Sequence, residues 1–325
     1  MRIEAKGAVH EIVTAMRHQV GEVLGRSGAV VAISGGVDSA VCAALAARAF
    51  GASRVLGLAL PERESDPESL ALAQELAREL KIELLVEEIT PALEGAGCYA
   101  RRDAAIGRVT EFGPGWQCKL VVDVGGPGAE HLPLGVLVVR PPHGEERRVR
   151  LPPKEYREIV AATNLKQRIR AMMCYLHADR LRYAVIGTPN RLEYALGFFV
   201  KGGDGLADLK PIAHLYKTQV HQLAEYLGVP AGIRTRVPTT DTYSLPQTQE
   251  EFYFRLPLPI LDRILAALDR GVSAETVASE LWMKPEEVER AYLELERKER
   301  AARYLHAEPL LVVDRPAAPA LVEIA

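Results

Sequence analysis

The sequence predicts an α/β fold: a doubly wound, mostly parallel sheet with a small β-rich insertion and C-terminal helices. Three observations carry this. Short apolar runs at 29–33, 55–60 and 183–187 have the continuous character of strands buried on both faces. Segments of helical period alternate with them. A glycine-rich turn follows the first run and opens a helix, as at the ligand-binding edge of doubly wound sheets.

The elements follow in order. Residues 7–25 place Val9, Ile12, Val13, Met16, Val20, Val23 and Leu24 at helical spacing. The strand at 29–33 leads through the glycine turn into an alanine-rich helix reaching Phe50. A second strand, 55–60, stops at Pro61. Asp66 as N-cap and Pro67 at the first position predict a helix over 67–80. Partial alternation predicts a third strand over 82–89. The pattern resumes with a long helix at 155–180, a fourth core strand at 183–187 and a helix at 215–227, closed by Gly228 and Pro230.

Between the halves, residues 91–153 are rich in Gly and Pro and carry short β-like runs at 120–122, 136–139 and 149–151. They read as a small β-rich insertion bordering the acceptor side of the site. Helices are expected again at 258–270, 273–281 (Ser273 as N-cap) and 285–304, before a Pro/Ala-rich tail. The expected organisation is one domain over 1–257, with the insertion at 91–153, and a helical extension and tail over 258–325.

Composition excludes several function classes. A net charge of −3 gives no electrostatic reason to expect a nucleic-acid partner. The four cysteines, Cys42, Cys98, Cys118 and Cys174, lack zinc-like spacing and suit a reducing compartment. Glu4, His10 and Glu11 interrupt any leader-like apolar stretch, and no run is long enough to span a bilayer. A cytoplasmic enzyme with no membrane partner is expected.

The chemistry sits in Ser34-Gly35-Gly36-Val37-Asp38-Ser39. A glycine turn between a buried strand and a helix offers backbone N–H groups and a helix N-terminus to an anion. Ser34 and Ser39 add hydroxyls. Asp38 beside a phosphate implies a divalent cation between them, Mg²⁺. Neither the Walker lysine nor the dinucleotide glycine pattern is present.

This loop resembles the pyrophosphate loop of the N-type ATP pyrophosphatases (PP-loop, adenine nucleotide alpha hydrolase-like). Further strings are similar, in order and spacing, to the ammonia-dependent NAD synthetase family: Asn164-Leu-Lys-Gln-Arg168, Gly187-Thr188-Pro-Asn-Arg-Leu-Glu193, Lys201-Gly-Gly-Asp204, Asp208-Leu-Lys-Pro211, Leu215-Tyr-Lys217 and Pro238-Thr239. The resemblance implies an ATP-dependent amide ligase. ATP would adenylylate the nicotinate carboxylate of deamido-NAD, and ammonia would displace AMP. It implies that Asp38 and Glu193 hold Mg²⁺, and that Thr188, Lys217 and Thr239 meet the nucleotide. Asn164 and Arg168 would hold the acceptor, with Lys201, Asp204 and Asp208 near the reacting end. A homodimer is implied, with ammonia free or supplied by a separate glutaminase. From chemistry alone, Asp208 could take a proton from ammonium, and Lys217 could meet charge on the phosphates.

The chain departs from the family in three places. Val200 and Gly202 stand where the family shows threonine and tyrosine, 91–153 is longer, and 240–254 lacks the usual acidic sequence. These differences keep open the amidation of another carboxylate, such as a sugar acid or a natural-product precursor. A tRNA-modifying pyrophosphatase would want catalytic cysteines and a basic surface, and neither is evident.

Overall fold

The computed structural model describes residues 1–122, 135–237, 242–248, 253–254 and 256–312. In chain order, α1 (Ala5–Arg17) precedes β1 (Ala29–Ala32), α2 (Val37–Phe50), β2 (Val55–Ala59), α3 (Pro67–Leu80) and β3 (Glu83–Val86). Next come α4 (Thr90–Gly95), α5 (Cys98–Gly107), β4 (Gln117–Val122), β5 (Gly135–Arg140), β6 (Arg147–Arg150) and α6 (Pro153–Leu181). The second half holds β7 (Ala184–Ile186), α7 (Arg191–Leu196), α8 (Lys217–Leu227) and α9 (Ala231–Thr235). The chain then enters α10 (Leu258–Leu268), α11 (Ala274–Leu281) and α12 (Pro285–His306).

The main sheet is parallel, with strand order β3-β2-β1-β7. β1, β2 and β7 are short and apolar because both faces are covered, whereas the edge strand β3 leaves Glu83 and Val86 exposed. Ala29, Val31 and Ile33 face one layer with α1, α2, α3 and α8, whereas Val30, Leu56 and Leu58 face the other with α4 and α6. That is the three-layer, doubly wound arrangement the apolar runs predict. The chain leaves β1 for β2 on one side and returns to β7 on the other, so a switch point opens at the carboxyl end of β1.

Local signals explain the helix ends. The Asp66 side chain accepts the Glu68 N–H at 2.9 Å, with Pro67 at the first position of α3. Ser273 caps α11 through the Thr276 N–H. The helix expected over 7–25 is α1 only to Arg17 and continues as a wider π turn over His18–Val23.

Segment 91–153 begins with helix, not strand. α4 and α5 precede a three-stranded antiparallel meander of order β4-β5-β6, on which the three β-like runs fall. The C-terminal helices build their own core from Leu261, Ile264, Leu265, Val277, Val288 and Leu295, with Leu192 and Leu196 of α7 and Phe254. Among the described residues, no helix is long and apolar enough to cross a membrane.

Candidate active site

The glycine loop lies at the switch point. Gly36 is the N-cap of α2, so the first N–H groups of that helix open onto the loop. Hydroxyls hold its shape: Ser39 Oγ donates to Gly36 O at 2.9 Å and accepts the Ser34 N–H at 3.3 Å, and Ser34 Oγ lies 3.2 Å from it. Gly35 has φ +76°, and a Cβ there would lie 2.8 Å from Ser69 O and 3.0 Å from Arg236 Nη1. Only glycine meets both demands.

Three charged groups converge beside the loop. Asp38 sits in the first turn of α2, Glu193 in the first turn of α7, and Lys217 at the first position of α8. Lys217 Nζ donates to Asp38 Oδ2, and Asn190 Nδ2 donates to Asp38 Oδ1 at 3.2 Å. Asn190 also caps α7, and Glu193 Oε2 accepts the Asn190 N–H at 3.2 Å, a reciprocal capping box. Burial works against the Lys217 charge. Asp38 and then Glu193 outweigh it and hold the ammonium above its ordinary value. Burial, followed by the same two carboxylates, pushes the Cys42 thiol well up. Asp38 and Glu193 therefore act on shared neighbours from two different helices.

A cleft of about 1450 Å³ opens over this cluster. Ser34, Gly36, Val37, Asp38 and Ser39 line it, together with Thr188, Glu193, Lys217, Asn164 and Asp204. The inserted sheet contributes Leu120, Val121 and Gly135, and α12 contributes Arg290, Leu293 and Arg297. Among the described residues, no group of three or more His, Cys, Asp or Glu could hold a metal. Asp38 and Glu193 nevertheless fit Mg²⁺, which usually takes one or two carboxylates and completes its shell with substrate phosphate and water.

Three expected acceptor residues, Arg168, Lys201 and Asp208, are not among the residues that line the cleft. Lys201 Nζ donates to Tyr304 O at 2.7 Å and Ala307 O at 2.9 Å, so it caps the carboxyl end of α12. Asp208 accepts the Val185 N–H at 2.8 Å and the Tyr175 hydroxyl at 3.2 Å. Its carboxylate clamps β7. Arg168 Nε donates to Lys201 O at 3.4 Å. Thr239 lies outside the described residues.

Sequence reasoning passed over Arg236, which lies over the loop and donates to Ser69 Oγ at 3.1 Å and Asp66 Oδ2 at 2.9 Å. No local signal marks it. Asn190 was legible, because Asn followed three residues later by Glu is a helix-start signature.

The sequence model of the NAD synthase family matches residues 8–105 and 149–302, a span that contains every member of this cluster. The chain belongs to the NAD synthase family. As a member it is an enzyme and a ligase. It is 54% identical over 313 residues to the NH(3)-dependent NAD(+) synthetase of Rhizobium rhizogenes, covering 96% of this chain and 94% of the relative. Two solved structures share the NAD synthase fold. The NMN synthetase of Francisella tularensis has TM-score 0.65 and 23% identity, covering 95% of this chain and 99% of that one. The NH3-dependent NAD synthetase of Campylobacter jejuni has TM-score 0.61 and 19% identity, covering 96% and 100%. Residues 106–148, which contain β4 and β5, lie outside the family match.

Proposed function

We propose that the chain adenylylates the nicotinate carboxylate of deamido-NAD with ATP and lets ammonia displace AMP, giving NAD. The observation that carries this reading is the convergence of Asp38, Glu193 and Lys217 on the glycine loop. The name of the Rhizobium rhizogenes relative supports the ammonia and NAD parts of it.

In the first step a carboxylate oxygen attacks the α-phosphorus and pyrophosphate leaves with the bridging electrons. The loop N–H groups and the α2 N-terminus hold the departing phosphates, and Lys217 neutralises their charge. Asp38 and Glu193 would hold Mg²⁺, which would add further charge neutralisation there. In the second step ammonia attacks the acyl carbon, AMP leaves and one proton is released. Asn164 and Asp204, on the cleft wall, are the expected acceptor-side residues. A homodimer and an ammonia supply from solution or a separate glutaminase complete the proposal.

The second reading is amidation of a different carboxylate. The cleft wall at Val200, where the family shows threonine, favours it. Thiol chemistry on tRNA is disfavoured, because all four cysteines are buried and burial pushes each thiol up.

The test incubates the protein with ATP, Mg²⁺, ammonium and a panel of carboxylates that includes deamido-NAD and nicotinate mononucleotide. AMP and pyrophosphate, dependent on deamido-NAD, are expected. ADP and phosphate as main products would reject the reaction type. AMP release with another carboxylate alone would reject the acceptor.

A further inference from the structure

The inserted sheet has two outer strands. β6 presents Arg147, Arg148 and Arg150, and charged side chains of this kind discourage pairing with other chains. The β4 edge is covered by residues 244–247. Leu245 donates its N–H to Cys118 O at 3.1 Å, and Ser244 Oγ accepts the Cys118 N–H at 2.9 Å. Gln117 Nε2 donates to Ser244 O at 2.9 Å, and Gln247 Nε2 donates to Leu120 O. The segment also grips both faces of the sheet. Tyr243 packs with Cys118, Leu120 and Leu137 on one side, and Leu245 with Val121, Val136 and Val138 on the other.

A buried lysine holds the start of the same segment. Lys166 on α6 is 0% exposed and donates to Thr242 O at 2.9 Å, Glu62 Oε1 at 2.8 Å and Glu64 Oε2 at 2.7 Å. All three of its N–H groups are thereby satisfied. Arg102 on α5 pairs with Glu64 through both terminal nitrogens at 2.6 and 2.8 Å. Removing one member of such a network would leave a buried charge unpaired.

Thr242 and Tyr243 line the cleft, as do Leu120 and Val121 of β4. Tyr243 shares its core cluster with Ile159 of α6, the helix that also presents Asn164 to the cleft. Two anchors from different parts of the chain thus meet on one piece of cleft wall.

We propose that the insertion is a brace: β4 and Lys166 hold Thr242 and Tyr243 as a fixed wall on the acceptor side, and Ser244 and Gln247 are positioning residues for acceptor binding. The kinetic part of the test rests on the proposed reaction. The exchange part does not.

The experiment compares wild type with Ser244→Ala combined with Gln247→Leu. Amide hydrogen exchange at Leu245 is measured together with steady-state kinetics, using ATP and the carboxylate that gives most AMP in the panel. Exchange at Leu245 and the acceptor KM should each rise about tenfold, the loss expected for one or two neutral hydrogen bonds. kcat at saturating acceptor and the ATP KM should stay within about twofold. Ser244→Thr, which keeps the hydroxyl, should behave as wild type. An unchanged acceptor KM beside faster exchange would overturn the proposal, and so would unchanged exchange. Should the double variant fail to fold, Ser244→Ala alone is held to the same two criteria. Failure of the reaction itself would show as no AMP release by wild type, before any variant is compared.

Discussion

Asp262, buried within the C-terminal helices on α10, accepts the backbone N–H of Thr218 at 2.7 Å. Thr218 directly follows Lys217, so a carboxylate more than forty residues downstream holds the first turn of the helix that presents the lysine. Asp262→Ala should cost about 1 kcal/mol of stability, the usual value of an N-terminal cap, and should lower AMP release. Asp262→Asn keeps an acceptor oxygen and should stay near wild type. Thermal unfolding and AMP release measure the two effects. Equal losses in both variants would deny the capping role.

Asp38→Asn and Glu193→Gln should each slow adenylylation without unfolding the protein. A contact to charge developing in the transition state is worth roughly 3–4 kcal/mol, about a hundredfold to a thousandfold in rate. AMP release at saturating ATP, with circular dichroism as the control for folding, is the measurement. Wild-type turnover in either variant would remove that residue from the reaction.

Gly35→Ala should damage the loop for two reasons. The backbone has φ +76°, and the new methyl would press on Ser69 O at 2.8 Å. A strained position of this kind costs about 1–3 kcal/mol. A lower melting temperature and weaker ATP binding by calorimetry are expected. Unchanged ATP affinity would show that the loop tolerates a side chain.

Lys201→Ala separates a role in the fold from a role in acceptor binding. Its ammonium satisfies two carbonyls at the end of α12, so the variant should lose about 1–2 kcal/mol of stability. The acceptor KM should not move. A large rise in that KM with unchanged stability would assign Lys201 to the acceptor site.

Glu64 sets an acid limit on stability. Burial alone would raise its carboxyl, but Arg102 and then Lys166 reverse this and lower it from 4.5 to about 2. A carboxylate with a depressed folded-state value stabilises fully above its unfolded value, and the contribution is lost as pH falls from about 4.5 to about 2. The shift corresponds to about 3 kcal/mol at neutral pH. Glu64→Gln should therefore unfold more easily at pH 7 and show a flatter dependence on pH between about 4.5 and about 2. Denaturant unfolding across that range is the check, and parallel curves for the two proteins would contradict it.

Three strands of the main sheet, β1, β2 and β7, were legible because burial on both faces leaves unbroken apolar runs, whereas the edge strand β3, with Glu83 and Val86 exposed, showed only partial alternation. The α3 boundaries were legible because Asp66 and Pro67 are local signals with local causes. α5 was not. Its sequence carries Arg101, Arg102 and Asp103, and Arg102 is buried only because Glu64, distant in sequence, receives it. The same limit applies at the site. Asp38, Glu193 and Lys217 announce themselves by residue type and motif. Lys201 and Asp208 sit in equally site-like strings, yet their partners are the α12 carbonyls and the β7 backbone, which no window of sequence contains. Asp262 reads only as a polar residue within an apolar helix stripe.

The pairing of α5 with α6 has a consequence for how such a chain could change over generations. Arg108, just past α5, pairs with Glu155 and Glu158 in the first turns of α6, so the points where the insertion leaves and rejoins the fold are neighbours. A peptide lengthened between two neighbouring anchors adds little closure entropy, because that term grows only slowly with length. The meander is therefore a module that a lineage could acquire or shed without rebuilding the sheet that carries the chemistry. Its inheritance would be tied to that of residues 242–247, which lie along the β4 edge.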